Sequence, residues 1–127
     1  SYNLFENLKL DNFSIFPGSE SKLLKGLELG CDGVITATCN VTAQLARRVY
    51  DDFFSGKEQL YNKKLIEVRN EFEKYNLISA LHTYKSKGDQ NFKNVIPPLG
   101  LLNDTEDNNL ILNLKKLDFQ INSQLAA

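Results

Sequence analysis

Apolar residues recur at helical spacing along most of this chain. Between Tyr61 and Tyr75 they step by four, three, four and three positions, which produces one continuous apolar stripe. Periodicity of this kind, with glycines and capping residues at the ends, predicts a succession of helices, with Ser19 and Asn40 as candidate N-caps. The predicted helices cover 2–10, 19–29, 40–55, 57–75 and 77–85, and a last one begins at Asn103 or Asp104 and buries Leu110, Leu114, Leu117 and Ile121.

Two short apolar segments have a different pattern and predict β-strands, at 13–16 and 33–38. The first is aromatic and β-branched, and the second lacks alternating charges, as a strand buried on both faces does. Each ends in small, polar residues that open a helix, at 18–20 and 37–40. Tandem β-turn-α units predict a parallel sheet with ligands at the carboxyl ends of its strands. Because two strands cannot close a sheet, the chain is expected to be part of a larger fold.

Composition excludes several classes of partner. The chain has 127 residues, a net charge of -1 and interspersed acidic and basic residues, so neither nucleic acid nor a membrane is expected as a partner. If 33–38 is a strand, Cys31 and Cys39 lie roughly 20 Å or more apart at about 3.3 Å per residue, too far for a disulfide. Two free thiols fit a reducing compartment, and a cytoplasmic location is expected. Methionine is absent even at position 1, which favours a start upstream of Ser1.

The order of predicted elements and two quoted segments resemble one enzyme family. The segments are Phe-Pro-Gly-Ser-Glu at 16–20 and Gly-Cys-Asp-Gly-Val-Ile-Thr-Ala-Thr-Cys-Asn at 30–40. The Val-Ile-Pro-Pro-Leu connector at 95–99, before the last helix, adds to the resemblance. They are similar to the C-terminal part of the dihydrodipicolinate synthase/N-acetylneuraminate lyase family of class I, pyruvate-handling lyases. The resemblance implies an α/β fold: strands seven and eight of a (β/α)8 TIM barrel over 1–55 and an appended C-terminal helical domain over 56–127. A whole barrel needs about 250 residues.

The same resemblance implies the chemistry. Family members form a Schiff base between pyruvate or a 2-oxo acid and a lysine on strand six, and then make or cleave a carbon–carbon bond with an aldehyde. That lysine would lie upstream of Ser1, so no catalytic residue is expected in this chain, and no cofactor is expected beyond the imine. None of the twelve lysines falls in a predicted strand or its following turn, which agrees. The N-terminal part of the barrel and a homo-oligomer, a tetramer or dimer, are the expected protein partners.

Six residues are predicted to line the substrate pocket by this resemblance: Gly18, Ser19, Glu20, Ile35, Thr36 and Ala37. A carboxylate at Glu20 would accept hydrogen bonds from hydroxyl groups of the substrate tail, and the backbone at Ile35 would face the Schiff-base lysine. A structural interpretation stands beside each role. Gly18 can simply break the strand while Ser19 caps a helix, and Ile35, Thr36 and Ala37 are ordinary residues for a buried strand.

Other functions have weaker support in the sequence. His82 is the only histidine and has no acidic or cysteine neighbour at metal-ligand spacing, so a zinc site is not predicted. Cys39 has no basic neighbour in sequence that would activate it. The turns lack the Gly-x-Gly-x-x-Gly and Walker patterns of nucleotide-binding proteins. The remaining hypothesis from a different class is a non-catalytic helical binding or assembly module that another chain completes.

Overall fold

The structure is a computed structural model that describes residues 14–94 and 100–119. Within these residues the chain forms α1 (Leu23–Glu28), α2 (Cys39–Phe54), α3 (Asn62–Glu73), α4 (Leu77–Lys85) and α5 (Asp104–Lys116). Short 3-10 turns at Glu20–Lys22 and Gln90–Lys93 precede α1 and follow α4. These elements confirm that helices form where they were predicted within the described ranges, but α3 begins at Asn62 and not at residue 57. The predicted helix at 2–10, Phe13 of the first strand, the 95–99 connector and Ile121 lie outside them.

Side-chain capping contacts explain where some of the helical elements begin. The Ser19 side chain accepts a hydrogen bond from the backbone N–H of Ser21, and it therefore caps the turn that leads into α1. Asn103 and Glu106 form a reciprocal capping box at the start of α5. The prediction that Asn40 caps α2 is wrong. The residue before α2 is Thr38, and the Asn40 amide instead donates to the carbonyl of Ala37 at 2.8 Å.

The two predicted strands are wrong for the described residues, which contain no β-strand. Two backbone hydrogen bonds still join the two segments in the same direction: Asp32 N–H to the Ile15 carbonyl at 2.9 Å, and Ile35 N–H to the Pro17 carbonyl at 3.1 Å. A regular parallel ladder would need the N–H of residue 17 to donate back, and a proline has none. The bonds are also out of step, since two residues of one segment match three of the other. The segments therefore lie parallel without pairing as strands.

One hydrophobic cluster holds the described helices together. It contains Leu23 and Leu27 of α1, and α2 contributes Val41, Leu45, Ala46 and Val49. The later helices contribute Leu65, Val68, Phe72, Ala80, Leu81, Tyr84, Leu110 and Leu114. The apolar stripe predicted from periodicity is buried as expected, because Leu65, Val68 and Phe72 are fully inaccessible. The division at residue 55 stays a prediction, and the described core runs continuously across it.

No helix within the described residues is long and apolar enough to cross a membrane.

Candidate functional site

The six predicted pocket residues lie at the ends of two adjoining segments of the chain. Gly18, Ser19 and Glu20 follow the segment 14–17, while Ile35 and Thr36 end the segment 31–36 and Ala37 follows it. The hydrogen bond from Ile35 N–H to the Pro17 carbonyl brings the two ends side by side. Gly18, Ile35 and Ala37 are exposed, Ser19 and Thr36 are half-buried, and Glu20 is fully buried. The structure therefore gathers these residues at one edge, with Glu20 beneath the surface.

The Glu20 carboxylate is held by two side chains from different helices. Its Oε1 accepts a hydrogen bond from the Thr42 hydroxyl of α2 at 2.7 Å. Its Oε2 accepts one from the Arg69 guanidinium of α3 at 3.1 Å. Burial of a carboxylate is costly unless such partners compensate it, and here both oxygens have one. The contacts therefore support a structural role for Glu20.

Arg69 joins the ends of both segments to α3. Besides Glu20, its Nη1 atom lies within hydrogen-bond distance of the hydroxyls of Thr36, at 2.7 Å, and Thr38, so three acceptors share its two hydrogens. Its Nε and Nη2 atoms both lie 2.7 Å from Oε1 of Glu73, one turn further along the same helix. A planar guanidinium can reach several acceptors in fixed directions at once, which a lysine cannot. Arg69 thus fixes the ends of both segments relative to one helix.

Sequence reasoning missed Arg69, although a signal was present. Arg69 lies four residues after Leu65 and three before Phe72, on the face that the apolar stripe occupies. Its side chain is only 9% exposed. A charged residue within the apolar face of a helix needs a buried partner of opposite charge. That requirement could have been noticed, but the sequence does not say which carboxylate meets it.

The cysteines and the histidine have no arrangement for catalysis within the described residues. Both thiols are free. Burial raises the pKa of Cys31 and, together with the nearby Glu20 charge, that of Cys39, so neither thiol is activated as a nucleophile. The Nδ1 atom of His82 lies 2.9 Å from the Phe92 carbonyl. The described part of the chain contains no cluster of three or more histidine, cysteine or acidic residues that could hold a metal ion.

Comparison with known proteins identifies relatives of this arrangement. The sequence profile of the Dihydrodipicolinate synthetase family matches residues 3–117. A solved structure of YagE, a prophage protein belonging to the dihydrodipicolinic acid synthase family from E. coli K12, in complex with pyruvate, has a similar fold. The TM-score is 0.71 at 20% sequence identity, and the match covers 84% of this chain and 38% of YagE. No curated protein matches the chain by sequence.

Proposed function

The chain belongs to the dihydrodipicolinate synthetase family, and we propose that it acts as the C-terminal segment of a lyase or aldolase that makes or cleaves a carbon–carbon bond to pyruvate. The observation that carries the proposal is the extent of the family match. It spans 3–117 and so includes both segment ends of the candidate site and all five described helices. The pyruvate in the YagE complex supports pyruvate as the shared substrate.

The exposed apolar residues beside the site support completion by the rest of a barrel. Phe16 is 44% exposed and Ile35 is 69% exposed, although both lie in segments that the barrel would enclose. In a closed barrel every strand has a neighbour on both sides, and its interior is filled by side chains. We infer that upstream strands cover these two residues and supply the Schiff-base lysine. The whole protein, a dimer or tetramer in this proposal, would act in the cytoplasm.

The site residues then form part of the pocket wall. Gly18, Ile35 and Ala37 are all exposed, and the small size of Gly18 and Ala37 leaves room for a substrate. Glu20 and Arg69 hold this wall in place from below. Rigid support of this kind matters because imine chemistry depends on positioning substrate and lysine within a fraction of an ångström. The proposed substrate tail would meet the wall, with Glu20 reached only if its present contacts rearrange.

Borohydride trapping tests the proposal. The whole protein and the 127-residue chain are each incubated with pyruvate and borohydride, and the adduct is located by mass spectrometry of peptides. We expect a reduced pyruvate adduct on one lysine of the whole protein, upstream of Ser1, and none on the twelve lysines of this chain. A stable adduct on any of those twelve would contradict the assignment of a non-catalytic segment. A whole protein that forms no adduct would remove the imine mechanism.

The second candidate is a non-catalytic helical assembly module. The helical character of the described residues and the exposed Phe16 and Ile35 favour completion by another polypeptide under this hypothesis too. The two candidates differ in the trapping experiment. An assembly module forms no imine with pyruvate in any complex, whereas the lyase forms one once its upstream strands are present.

A further inference from the structure

A cavity of about 150 Å³ lies next to the candidate site, between α2 and α4. Ala37 and Asn40 form one wall, and His82, Lys85, Phe92 and two aliphatic residues of α4 form the other. Since a water molecule occupies about 30 Å³, the space admits a carboxylate or phosphate group with part of its carbon chain. Ala37 belongs to both the cavity and the predicted pocket wall, so the two spaces are neighbours.

Lys85 brings a positive charge to this cavity. Its ammonium group donates to the carbonyl of Asn40 at 3.2 Å and lies 5.2 Å from the centre of the Phe92 ring. Within residues 14–94 and 100–119, no carboxylate forms an ion pair with it. The ammonium therefore keeps donor capacity for a further acceptor, and it is held in position by contacts on both sides.

The imidazole ring of His82, one turn away on α4, also borders the cavity. Its Nδ1 atom must donate to the Phe92 carbonyl, since a carbonyl oxygen only accepts. This bond fixes the ring, and in the tautomer that makes it Nε2 is an acceptor, so the ring borders the cavity and reports on its contents without donating to an anion. Asn40 lies in the first turn of α2, and the Glu20 carboxylate already lies beside that end of the helix, since it accepts from the Thr42 hydroxyl, so the positive charge of this site comes from Lys85.

We propose that this cavity binds the anionic end of a small organic molecule, a carboxylate or a phosphate, through the ammonium group of Lys85, with the His82 ring at its edge. The charge, size and apolar lining favour an anion attached to a short carbon chain over a bare metal ion or a neutral sugar. Identifying that molecule as the substrate of the lyase rests on the proposed function, whereas binding of the anion does not. In that case the anion would be the end of the substrate furthest from the imine.

An ordinary structural role explains less of the geometry. Basic residues in the last turn of a helix often compensate the helix dipole, and His82 and Lys85 are both placed there. Compensation of the dipole of α4 does not require Lys85 to reach a carbonyl 45 residues away on another helix. It also does not require a cavity between the two helices. The carbonyl bond holds the ammonium beside this space, and the space itself is the feature that a bound anion accounts for.

The test uses the ring signal of His82, which NMR assigns without ambiguity because the chain has no other histidine. The 127-residue chain is titrated separately with inorganic phosphate and malonate, at fixed neutral pH and with chloride holding the ionic strength constant. We expect a saturable shift with a dissociation constant of about 1 mM for at least one anion. Saturation by malonate alone identifies a carboxylate ligand, and saturation by phosphate alone identifies a phosphate ligand.

Three variants decide whether Lys85 and the cavity are responsible. Lys85→Gln should weaken binding at least about fivefold, because it removes the nearest charge. Lys63→Gln, an equal loss of charge at a side chain 88% exposed on α3, should change it less than about twofold. Ala37→Asp places a negative charge in the wall at an exposed position and should abolish saturation.

A shift that rises linearly without saturation, or equal weakening by the two lysine variants, would overturn the anion site. Far-UV circular dichroism confirms that each variant is folded, and Ala37→Asp remains as a test if Lys85→Gln does not fold. Failure of the site is distinct from failure of the proposed function. If the whole protein forms no imine but the 127-residue chain shows a saturable His82 shift, only the lyase assignment is lost. If borohydride traps the imine but the His82 signal does not shift, only the anion site is lost.

Discussion

Replacing Arg69 with methionine should be among the most destabilising single substitutions in this chain. Methionine keeps the long apolar stem but removes every hydrogen bond that the guanidinium donates to Glu20, Thr36 and Thr38. Glu20 is 0% exposed, so its carboxylate would be left without its cation in a site that water does not reach. Breaking a buried ion pair by removing one partner costs about 3–5 kcal/mol.

That cost is large compared with the whole stability of a domain, about 5–15 kcal/mol. The matched control is Arg47→Met, which also breaks an arginine–acid pair at i,i+4 spacing. The Arg47 side chain is 72% exposed and Asp51 is 51% exposed, so its loss should cost about 0–1 kcal/mol. The two variants make the same chemical change and differ chiefly in burial.

Urea unfolding followed by far-UV circular dichroism gives the free energy of unfolding of each variant by linear extrapolation. A double variant with Glu20→Gln as well should recover part of the stability lost in Arg69→Met, because no buried charge then remains unpaired. The reasoning would be refuted if Arg69→Met cost less than about 1 kcal/mol or no more than Arg47→Met. It would also fail if Glu20→Gln made Arg69→Met worse by its full separate cost.

Three further predictions concern stability. Burial raises the pKa of Tyr84 from 10.0 to about 12, so the folded protein holds that proton more tightly than the unfolded chain does. The resulting stabilisation, about 2–3 kcal/mol, is present below about pH 10 and is lost as the pH rises through about 12. Tyr84→Phe should remove this loss of stability at alkaline pH, which urea unfolding at several pH values measures. Gly26→Ala should cost up to about 2 kcal/mol, because the new Cβ would lie 3.0 Å from the Pro17 side chain and this crowding exceeds the roughly 1 kcal/mol that alanine gains over glycine within a helix. Gly18→Ala, with no atom within 4 Å of its Cβ, should leave the thermal midpoint within about 2 °C. Asn103→Ala should cost about 1 kcal/mol through the lost capping box, and Asn108→Ala on the exposed face of the same helix should cost nothing; equal effects in chemical denaturation would contradict the capping argument.

The helices were predictable because their signals are local. The apolar stripe between Tyr61 and Tyr75 specifies a buried face within one helix, and α3 buries Leu65, Val68 and Phe72 as that stripe requires. The helix over Leu77–Lys85 was predicted with the bounds that the structure shows. Glycine at helix ends was equally informative, since Gly30 and Gly56 have φ values of 89° and 67°, which favour glycine.

The sequence predicted where the candidate pocket residues lie along the chain, and their role in binding stays a prediction. Resemblance to a family selected the residues at 18–20 and 35–37, and the structure places them side by side. The resemblance could not reveal that Glu20 is buried, because burial depends on which residues pack against Glu20 in the folded chain. The partner of Glu20 is Arg69, 49 positions later on another helix, and no local pattern links the two.

The strands show where local reasoning fails. Aromatic and β-branched residues at 13–16 and 33–38 fit a strand, but a strand exists only through hydrogen bonds to a neighbour. Pro17 cannot donate the bond that would complete the pairing, and the two available bonds are out of step. The sequence by itself thus determined the helices, several of their ends and the family, since these depend on neighbours in the chain or on short motifs. Only the tertiary structure decided the parallel segments, the buried pair of Glu20 and Arg69, and the cavity beside Ala37, because each depends on residues that folding brings together from distant positions.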